Sequence, residues 1–189
     1  YNGESYEAIP KFELDRQNGV FIGLYLAAGS SDKYVKIAAN SSDVHHFVES
    51  WFKNIEIKWK CIPCIVSSHG AEFNSIGYPT ILARFLSKCC NMFDYRDQNK
   101  RVPNEAYNAP IEFIEGLLDG YISGNGSVTE TSILMESHSH QFIEGISMLC
   151  TRLGIFGNSS ETISETSEKM FTFSVESQWV RKFLDSGLI

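Results

Sequence analysis

The stretch FIEGLLDGYISGNGSV, from Phe113 to Val128, reads as a helix that ends at a glycine. Its second half, GYISGNGS at 120–127, has a counterpart in GLYLAAGS at 23–30, an offset of 97 residues (120 − 23). In both stretches apolar residues recur at helical spacing, small residues occupy matching positions, and a glycine follows as the usual left-handed helix terminator. The two stretches are therefore predicted to be equivalent helices.

Two further matches extend this internal repeat. The tripeptide FVE at 47–49 recurs as FIE at 142–144, and FL at 85–86 recurs at 183–184, with offsets of 95 and 98 residues. Matches in the same order at a nearly constant offset indicate two diverged copies of one unit. The predicted organisation is an N-terminal extension at 1–16, a first copy at 17–95, a polar linker at 96–109 and a second copy at 110–189.

Each copy has the same predicted order of elements. The motif helix is followed by an alternating strand-like segment, an amphipathic helix opened by Ser or Asp caps, further strand-like sequence and a last helix. These segments are 32–40, 44–52, 57–66 and 79–90 in the first copy, and 127–137, 141–153, 169–177 and 178–184 in the second. The predicted fold is α+β, with two pseudo-twofold-related copies of the order αββαββα.

Composition narrows the class of protein. The 189 residues are 43% hydrophobic and 13% aromatic, which suits one compact domain or two small lobes that share a core. No apolar run approaches the roughly 20 residues that a membrane-spanning helix needs, so a soluble, intracellular protein of the cytoplasm or nucleus is expected. Five cysteines in no disulfide-scaffold pattern agree with a reducing compartment. The net charge of −7 means that any binding to nucleic acid must depend on local basic patches.

The two motif segments resemble those of the LAGLIDADG homing endonucleases. The text NKRVPNEAYNAPIEFIEGLLDGYISGNGSV at 99–128, followed by GISMLCTRLGIFG at 145–157, resembles the endonuclease domain found inside inteins, including those inserted in RNA polymerase subunits. The resemblance extends from about Ile9 to the end of the chain. It implies saddle-shaped DNA-binding sheets and two motif helices packed side by side at the pseudo-twofold axis. Small residues would let the two backbones approach there, namely Gly23, Ala27, Gly120 and Gly124.

The resemblance also implies an activity and a metal site. Such a protein would be a monomer that cleaves both strands of a long, asymmetric double-stranded DNA target with Mg²⁺ or Mn²⁺. One acidic residue before the terminal glycine of each motif would hold the metal, because Mg²⁺ prefers oxygen ligands. Here those positions are Ala28, which offers no ligand, and Asn125, which offers a neutral amide. We therefore expect a catalytically inactive variant that arose by natural decay or by deliberate substitution. The alternative is a non-catalytic DNA-binding remnant or a folding insert of an intein.

Other residues could contribute to catalysis. Asp32, Asp119 and Glu130 are carboxylates that could replace the missing pair, but Asp119 is expected to make a surface or inter-copy polar contact and Glu130 to lie on a solvated strand face. By resemblance, a basic residue on a later strand of each copy would orient water or stabilise charge. Lys169 matches this role in the second copy, and Lys58 or Lys60 in the first, although ordinary exposed strand lysines would have the same pattern.

DNA recognition would use another set of side chains. Tyr34 and Lys36 alternate on one face of the first strand segment, and Thr129 and Thr131 do so in the second copy, so these four are predicted to reach base edges. The predicted phosphate contacts are Lys33, Lys100, Arg101 and Arg181. The alternative is that these charges only keep the protein in solution.

The cysteine pair, the histidines and the chain ends do not predict a further function. Cys61 and Cys64 have the spacing of a zinc or redox pair, but they fall in strand-like sequence, so metal binding is not predicted. The histidines at 45–46, 138 and 140 are interpreted as polar residues at helix starts. Since the chain begins with Tyr1 and ends in GLI at 187–189, it lacks splicing residues, and self-splicing is not expected.

Overall fold

The computed structural model describes residues 12–31, 35–39, 41–55, 59–62, 71–75, 79–94, 96–163, 168–176 and 178–185. Within those ranges, no helix is both long enough and apolar enough to cross a membrane. Each copy forms one four-stranded sheet that packs against helices.

The first copy has the element order that the sequence predicts. Ser41 caps its second helix by accepting a hydrogen bond from the backbone N–H of Val44 at 3.2 Å. The bounds are α1 Arg16–Ala28, β1 Gly29–Ser31, β2 Val35–Ala39, α2 Ser42–Asn54, β3 Trp59–Ile62, β4 Ala71–Ser75 and α3 Pro79–Cys90.

The second copy repeats this order. Ser139 caps its second helix through the backbone N–H of Phe142 at 3.2 Å, in the same way as Ser41 caps α2. A short 3₁₀ helix at Asn104–Asn108 precedes the second copy. The bounds are α4 Ile111–Asn125, β5 Gly126–Val128, β6 Ser132–Ser137, α5 His140–Arg152, β7 Asn158–Ile163, β8 Lys169–Glu176 and α6 Gln178–Asp185. The predicted αββαββα fold of both copies is confirmed.

The two sheets have the same topology. All strand pairs are antiparallel, in the orders β1-β2-β4-β3 and β5-β6-β8-β7. Gly29 pairs with Ile37 in the first sheet, and Gly126 pairs with Met135 in the second, so these two rungs are equivalent. One face of each sheet covers a single hydrophobic core that also includes α1 and α4.

The glycines that end the motif helices act differently from the sequence prediction. Gly29 has φ −94° and Gly126 has φ −91°, which is extended backbone and not the left-handed conformation. Each helix continues directly into a strand at this point. A Cβ on Gly29 would lie 2.3 Å from the carbonyl oxygen of Tyr25, so close approach to the preceding turn explains the glycine.

Sequence reasoning located the helices better than the strands. The predicted helix at 79–90 coincides with α3, and the one at 178–184 ends one residue before α6 does. In contrast, β4 and β7 were not identified. Every residue of β7 is exposed, so it lacks the apolar alternation that marks a half-buried strand.

The linker is packed as part of the core and does not simply connect the copies. Val102, Ala106 and Ala109 are buried. Arg152 of α5 donates hydrogen bonds to the carbonyl oxygens of Tyr107 at 2.9 Å and Ala109 at 3.0 Å. Arg152 therefore holds the linker, including its 3₁₀ helix, against the second copy.

Candidate functional site

The contact between α1 and α4 is close and has twofold symmetry. A Cβ on Gly23 would lie 2.1 Å from the carbonyl oxygen of Leu117, and a Cβ on Gly120 would lie 2.1 Å from that of Val20. These two contacts exchange when 97 is added to the first-copy numbers. Side chains at Gly23 and Gly120 would prevent this approach, so the glycines are required for the packing.

The symmetry continues along the whole helix pair. A Cβ on Gly19 would lie 2.3 Å from the carbonyl oxygen of Phe113, and a Cβ on Gly116 would lie 2.2 Å from that of Arg16. Sequence reasoning missed Gly19 and Gly116. Their spacing of four from Gly23 and Gly120, at the same offset of 97, was the available signal.

The last contact of the helix pair lies beside the candidate site. A Cβ on Gly124 would lie 2.6 Å from the Cβ of Ala27, and these two residues are themselves equivalent by the offset of 97. Ala28 and Asn125 follow immediately. The structure thus brings the last residues of both motif helices, Ala28 and Asn125, to the same end of the helix pair.

The chemistry at the two positions differs. Ala28 is partly buried and has only a methyl group, whereas Asn125 is exposed. The Asn125 amide nitrogen lies 3.5 Å from the Glu136 carbonyl oxygen, which also accepts a 2.5 Å hydrogen bond from the Tyr121 hydroxyl. Burial raises the pKa of Tyr121 far above its usual value, and so its hydroxyl stays protonated as a donor.

This residue set does not fit a divalent cation. A methyl group and one neutral amide lack the anionic oxygens that Mg²⁺ or Mn²⁺ requires. Nowhere in the described ranges do three or more His, Cys, Asp or Glu side chains come together in a group that could hold a metal ion. At the ends of α1 and α4, the described residues Ala28 and Asn125 thus offer no carboxylate to a divalent cation.

Lys169, the predicted catalytic lysine of the second copy, lies on the face of the second sheet that is turned to the helices. On β8, residues 173 and 175 point into the core, and Lys169 shares their side by the two-residue period of a strand. Its ammonium group forms an ion pair with Glu161 at 2.7 Å. Glu136 and Thr172 occupy the opposite face. Lys169 lies on a later strand as expected, and its catalytic role stays a prediction.

The prediction that Lys100 contacts a DNA phosphate is wrong, because Lys100 is buried. Its side chain is 1% exposed and donates a 3.1 Å hydrogen bond to the carbonyl oxygen of Leu26, near the end of α1. The ammonium group also lies 4.7 Å from the centre of the Phe142 ring. Burial lowers the pKa of Lys100 to about 8. Composition could not reveal this, since an exposed lysine is the normal expectation.

Lys100 connects the two copies through a short chain of contacts. The Ser139 hydroxyl donates to the Lys100 carbonyl oxygen at 2.5 Å and accepts from the N–H of Phe142. Since the Lys100 ammonium binds Leu26 of α1, the linker joins the end of α1 to the start of α5.

The two threonines predicted to read bases lie in a turn. Thr129 and Thr131 fall between β5 and β6, where the Thr129 backbone and hydroxyl bind Ser132. The tight connection removes them from the strand. Both are exposed, but the prediction that they alternate on a strand face is wrong.

The remaining predicted DNA contacts are scattered. Lys36 is partly exposed on β2, on the face opposite the buried Val35 and Ile37. Arg101 is partly buried and reaches the Lys88 carbonyl oxygen at 3.5 Å. Arg181 is exposed on α6, in the helix layer on the far side of its sheet. Lys33, Tyr34 and Lys58 lie outside the described residues, as does the side chain of Lys60, whose backbone pairs with Asn74.

Asp119 makes the inter-copy contact that the sequence suggested. It accepts a 2.7 Å hydrogen bond from Arg16 of α1, while Glu115 lies 3.6 Å from the same guanidinium group. Burial raises the pKa of Asp119 to about 6, and the contact with Arg16 opposes this only in part. Glu130 is exposed in the turn before β6, and Asp32 lies outside the described residues.

Comparison with known proteins identifies the fold. Residues 112–184 match a family described as a LAGLIDADG-like domain. Crystal structures of the homing endonuclease I-DmoI have TM-scores of 0.69 at 10% sequence identity; for the complex with DNA and Mn, 93% of this chain and 98% of that chain are covered. The N-terminal LAGLIDADG domain of WhiA has a TM-score of 0.63 at 10% identity and covers 94% of this chain and 83% of that one. The chain therefore has the two-copy LAGLIDADG fold.

Two curated relatives are much longer than this chain. It is 29% identical over 188 residues to the DNA-directed RNA polymerase subunit Rpo1C of Methanocaldococcus jannaschii, covering 96% of this chain and 20% of the subunit. It is 27% identical over 141 residues to the probable translation initiation factor IF-2 of Thermococcus kodakarensis, covering 71% of this chain and 12% of that protein. The chain thus spans a fifth or less of both relatives.

Proposed function

We propose that this chain is a site-specific DNA-binding domain of the homing-endonuclease type whose metal-dependent cleavage is disabled. One observation carries the proposal: the ends of α1 and α4 lie together, but the two residues there are Ala28 and Asn125. Phosphodiester hydrolysis by such a pair of helices would need carboxylates at this point to gather a divalent cation. The domain retains the scaffold and lacks the ligands.

The proposed partner is a long, asymmetric double-stranded DNA target, bound by one monomer. Two sheets of equal topology but different sequence suit a target whose two halves differ. Since the matched region of Rpo1C is a fifth of that subunit, we propose that the chain is an insert of the intein type and that its target is the host coding sequence without the insert.

The test restores the missing ligands. We expect the double variant Ala28→Glu, Asn125→Asp to cleave a supercoiled plasmid that carries the host sequence joined across the insertion point, with Mg²⁺ or Mn²⁺ present. Each single variant should give much less linear product, because each carboxylate supplies a ligand that the other cannot replace. The matched control is Ala28→Gln, Asn125→Asp, which has a similar shape at position 28 but one charge fewer.

Three results would contradict the proposal. Linear product from the unmodified chain would mean that Ala28 and Asn125 are not essential positions. Specific DNA binding by the double variant without metal-dependent cleavage would assign the chain to the non-catalytic DNA-binding alternative. If the unmodified chain binds no duplex even at low salt, where phosphate contacts are strongest, the folding-insert alternative would be favoured.

A further inference from the structure

The second sheet has an outward face that its strand register defines. On β6 and β8 the buried residues Ile133, Met135, Phe173 and Val175 point to the core. The residues between them point away from the helices, because successive side chains of a strand alternate between its two faces. Glu136 and Thr172 are direct partners on this outward face.

This outward face is polar but carries no positive charge. Its side chains are mainly hydroxyls and amides, such as Asn158, Ser160, Thr172 and Ser174, together with the carboxylates Glu136 and Glu176. None of the outward positions that the structure describes on β5 to β8 is a lysine or arginine. The face thus lacks cationic side chains that would attract phosphates, and its two carboxylates would repel them.

Glu136 has a defined position on this face. Its side chain is exposed, and one carboxylate oxygen accepts a 3.3 Å hydrogen bond from the Thr172 hydroxyl. Its backbone carbonyl oxygen is held by the buried Tyr121 of α4. Gly126 pairs with Met135 in the antiparallel β5–β6 ladder. Asn125 precedes Gly126 and Glu136 follows Met135, so Asn125 and Glu136 lie across from each other. Glu136 is therefore held at the end of the helix pair, where the two halves of a bound target would meet.

The first copy is different at the equivalent rung. Because Gly29 pairs with Ile37 as Gly126 pairs with Met135, Ala38 is the counterpart of Glu136 and Lys36 is the counterpart of Leu134. The first copy thus places a cation where the second has an apolar side chain, and a methyl group where the second has a carboxylate. The two halves of a target would therefore meet different side chains at these two rungs.

A carboxylate in the major groove can accept hydrogen bonds from only some of the bases. In the major groove, cytosine presents an amino donor, whereas guanine and thymine present acceptors that a carboxylate repels. Adenine places the N7 acceptor beside its amino group, so it is also less favourable than cytosine. The 3.3 Å hydrogen bond from the Thr172 hydroxyl engages one carboxylate oxygen of Glu136 and leaves the other to accept from a base.

We propose that Glu136 is a specificity-determining residue that accepts a hydrogen bond from the amino group of a cytosine in the half-target bound by the second copy. This inference depends on the proposed DNA-binding function. Lys36 in the first copy would supply attraction to phosphate, and Glu136 in the second would supply discrimination between bases.

The test is selection of bound sequences from a random duplex library at low salt by the unmodified chain, Glu136→Gln and Glu176→Gln. Glu176 is exposed on the same face at the other end of β8, so both variants remove one negative charge and differ only in position. Thermal melts confirm that both variants fold. The unmodified chain should prefer cytosine at one position by about tenfold or more, and Glu136→Gln should reduce this preference to about threefold or less.

Several outcomes would overturn the inference. These are an unchanged preference in Glu136→Gln, an equal loss in Glu176→Gln, and loss of a preference for a base other than cytosine. If the unmodified chain bound no duplex at all, the proposed function would fail together with the inference. Sequence-selective binding that ignores Glu136 would leave the proposed function standing and remove only the inference.

Discussion

Ala27 and Gly124 meet across the contact between α1 and α4, where a Cβ on Gly124 would lie 2.6 Å from the Cβ of Ala27. The two residues are counterparts in the two copies, so this contact lies at the pseudo-twofold axis. The next residue on each helix, Ala28 or Asn125, is the position at which we propose that an active relative would hold metal. Packing of small residues and placement of the site therefore have the same structural cause.

The glycines of this contact can be tested by stability. Gly120→Ala should lower the free energy of unfolding by about 3 kcal/mol, because its new Cβ would meet backbone atoms of Val20 that cannot rotate away. Gly23→Ala should have a similar effect through Leu117. Urea unfolding measures both. The control is Ser123→Ala, an exposed position of the same helix, which should change stability by about 0.5 kcal/mol or less. Equal stability of Gly120→Ala and the control would contradict the packing.

Buried Lys100 predicts a pH dependence. Its folded pKa of about 8 lies below the ordinary value of 10.5, so between these values the unfolded chain binds more protons than the folded chain. The unfolding free energy of the unmodified chain, relative to Lys100→Met, should therefore rise by about 1.4 kcal/mol per pH unit in this window. Comparing the two proteins cancels the opposing titration of buried cysteines and tyrosines. A difference that is flat from pH 8 to pH 10 would contradict the burial of the ammonium group.

Asp119 predicts the opposite dependence in acid. Its folded pKa of about 6 lies above the ordinary value of 3.8, so the folded chain binds more protons between these values. The unmodified chain should be most stable relative to Asp119→Asn below about pH 4, and should lose this advantage as the pH rises to about 6. Urea midpoints at half-unit intervals measure the difference. A rise in relative stability over this window would mean that the Arg16 contact outweighs burial.

Lys36 tests DNA attraction by the first sheet. Lys36→Glu should weaken binding to the selected duplex by about tenfold and reduce the salt dependence by about one released counterion. The control is Lys88→Glu, an exposed lysine near the end of α3 with the same charge change. Fluorescence anisotropy at several salt concentrations measures both. Equal weakening would show that only diffuse attraction to the whole protein operates there.

Much of the fold follows from local sequence patterns. Helical spacing of apolar residues and the Ser41 and Ser139 caps locate the helices, because these signals depend on neighbours within one or two turns. The repeat offset of 97 predicts that Gly23 and Gly120 are equivalent, and the family resemblance implies that these small residues let the two helices pack closely. The all-exposed β7 was missed because it has no apolar period to detect.

The sequence by itself determined the repeat, the order of elements and the absence of carboxylates at positions 28 and 125, since these are properties of residues and their spacing. Only the tertiary structure decided which surface each charge occupies. Lys100 is buried because the linker passes between Leu26 and Phe142, and Lys169 turns to the helix side because the pairing of β8 with β6 sets its parity. Both depend on contacts between segments far apart in the chain, which local patterns do not encode.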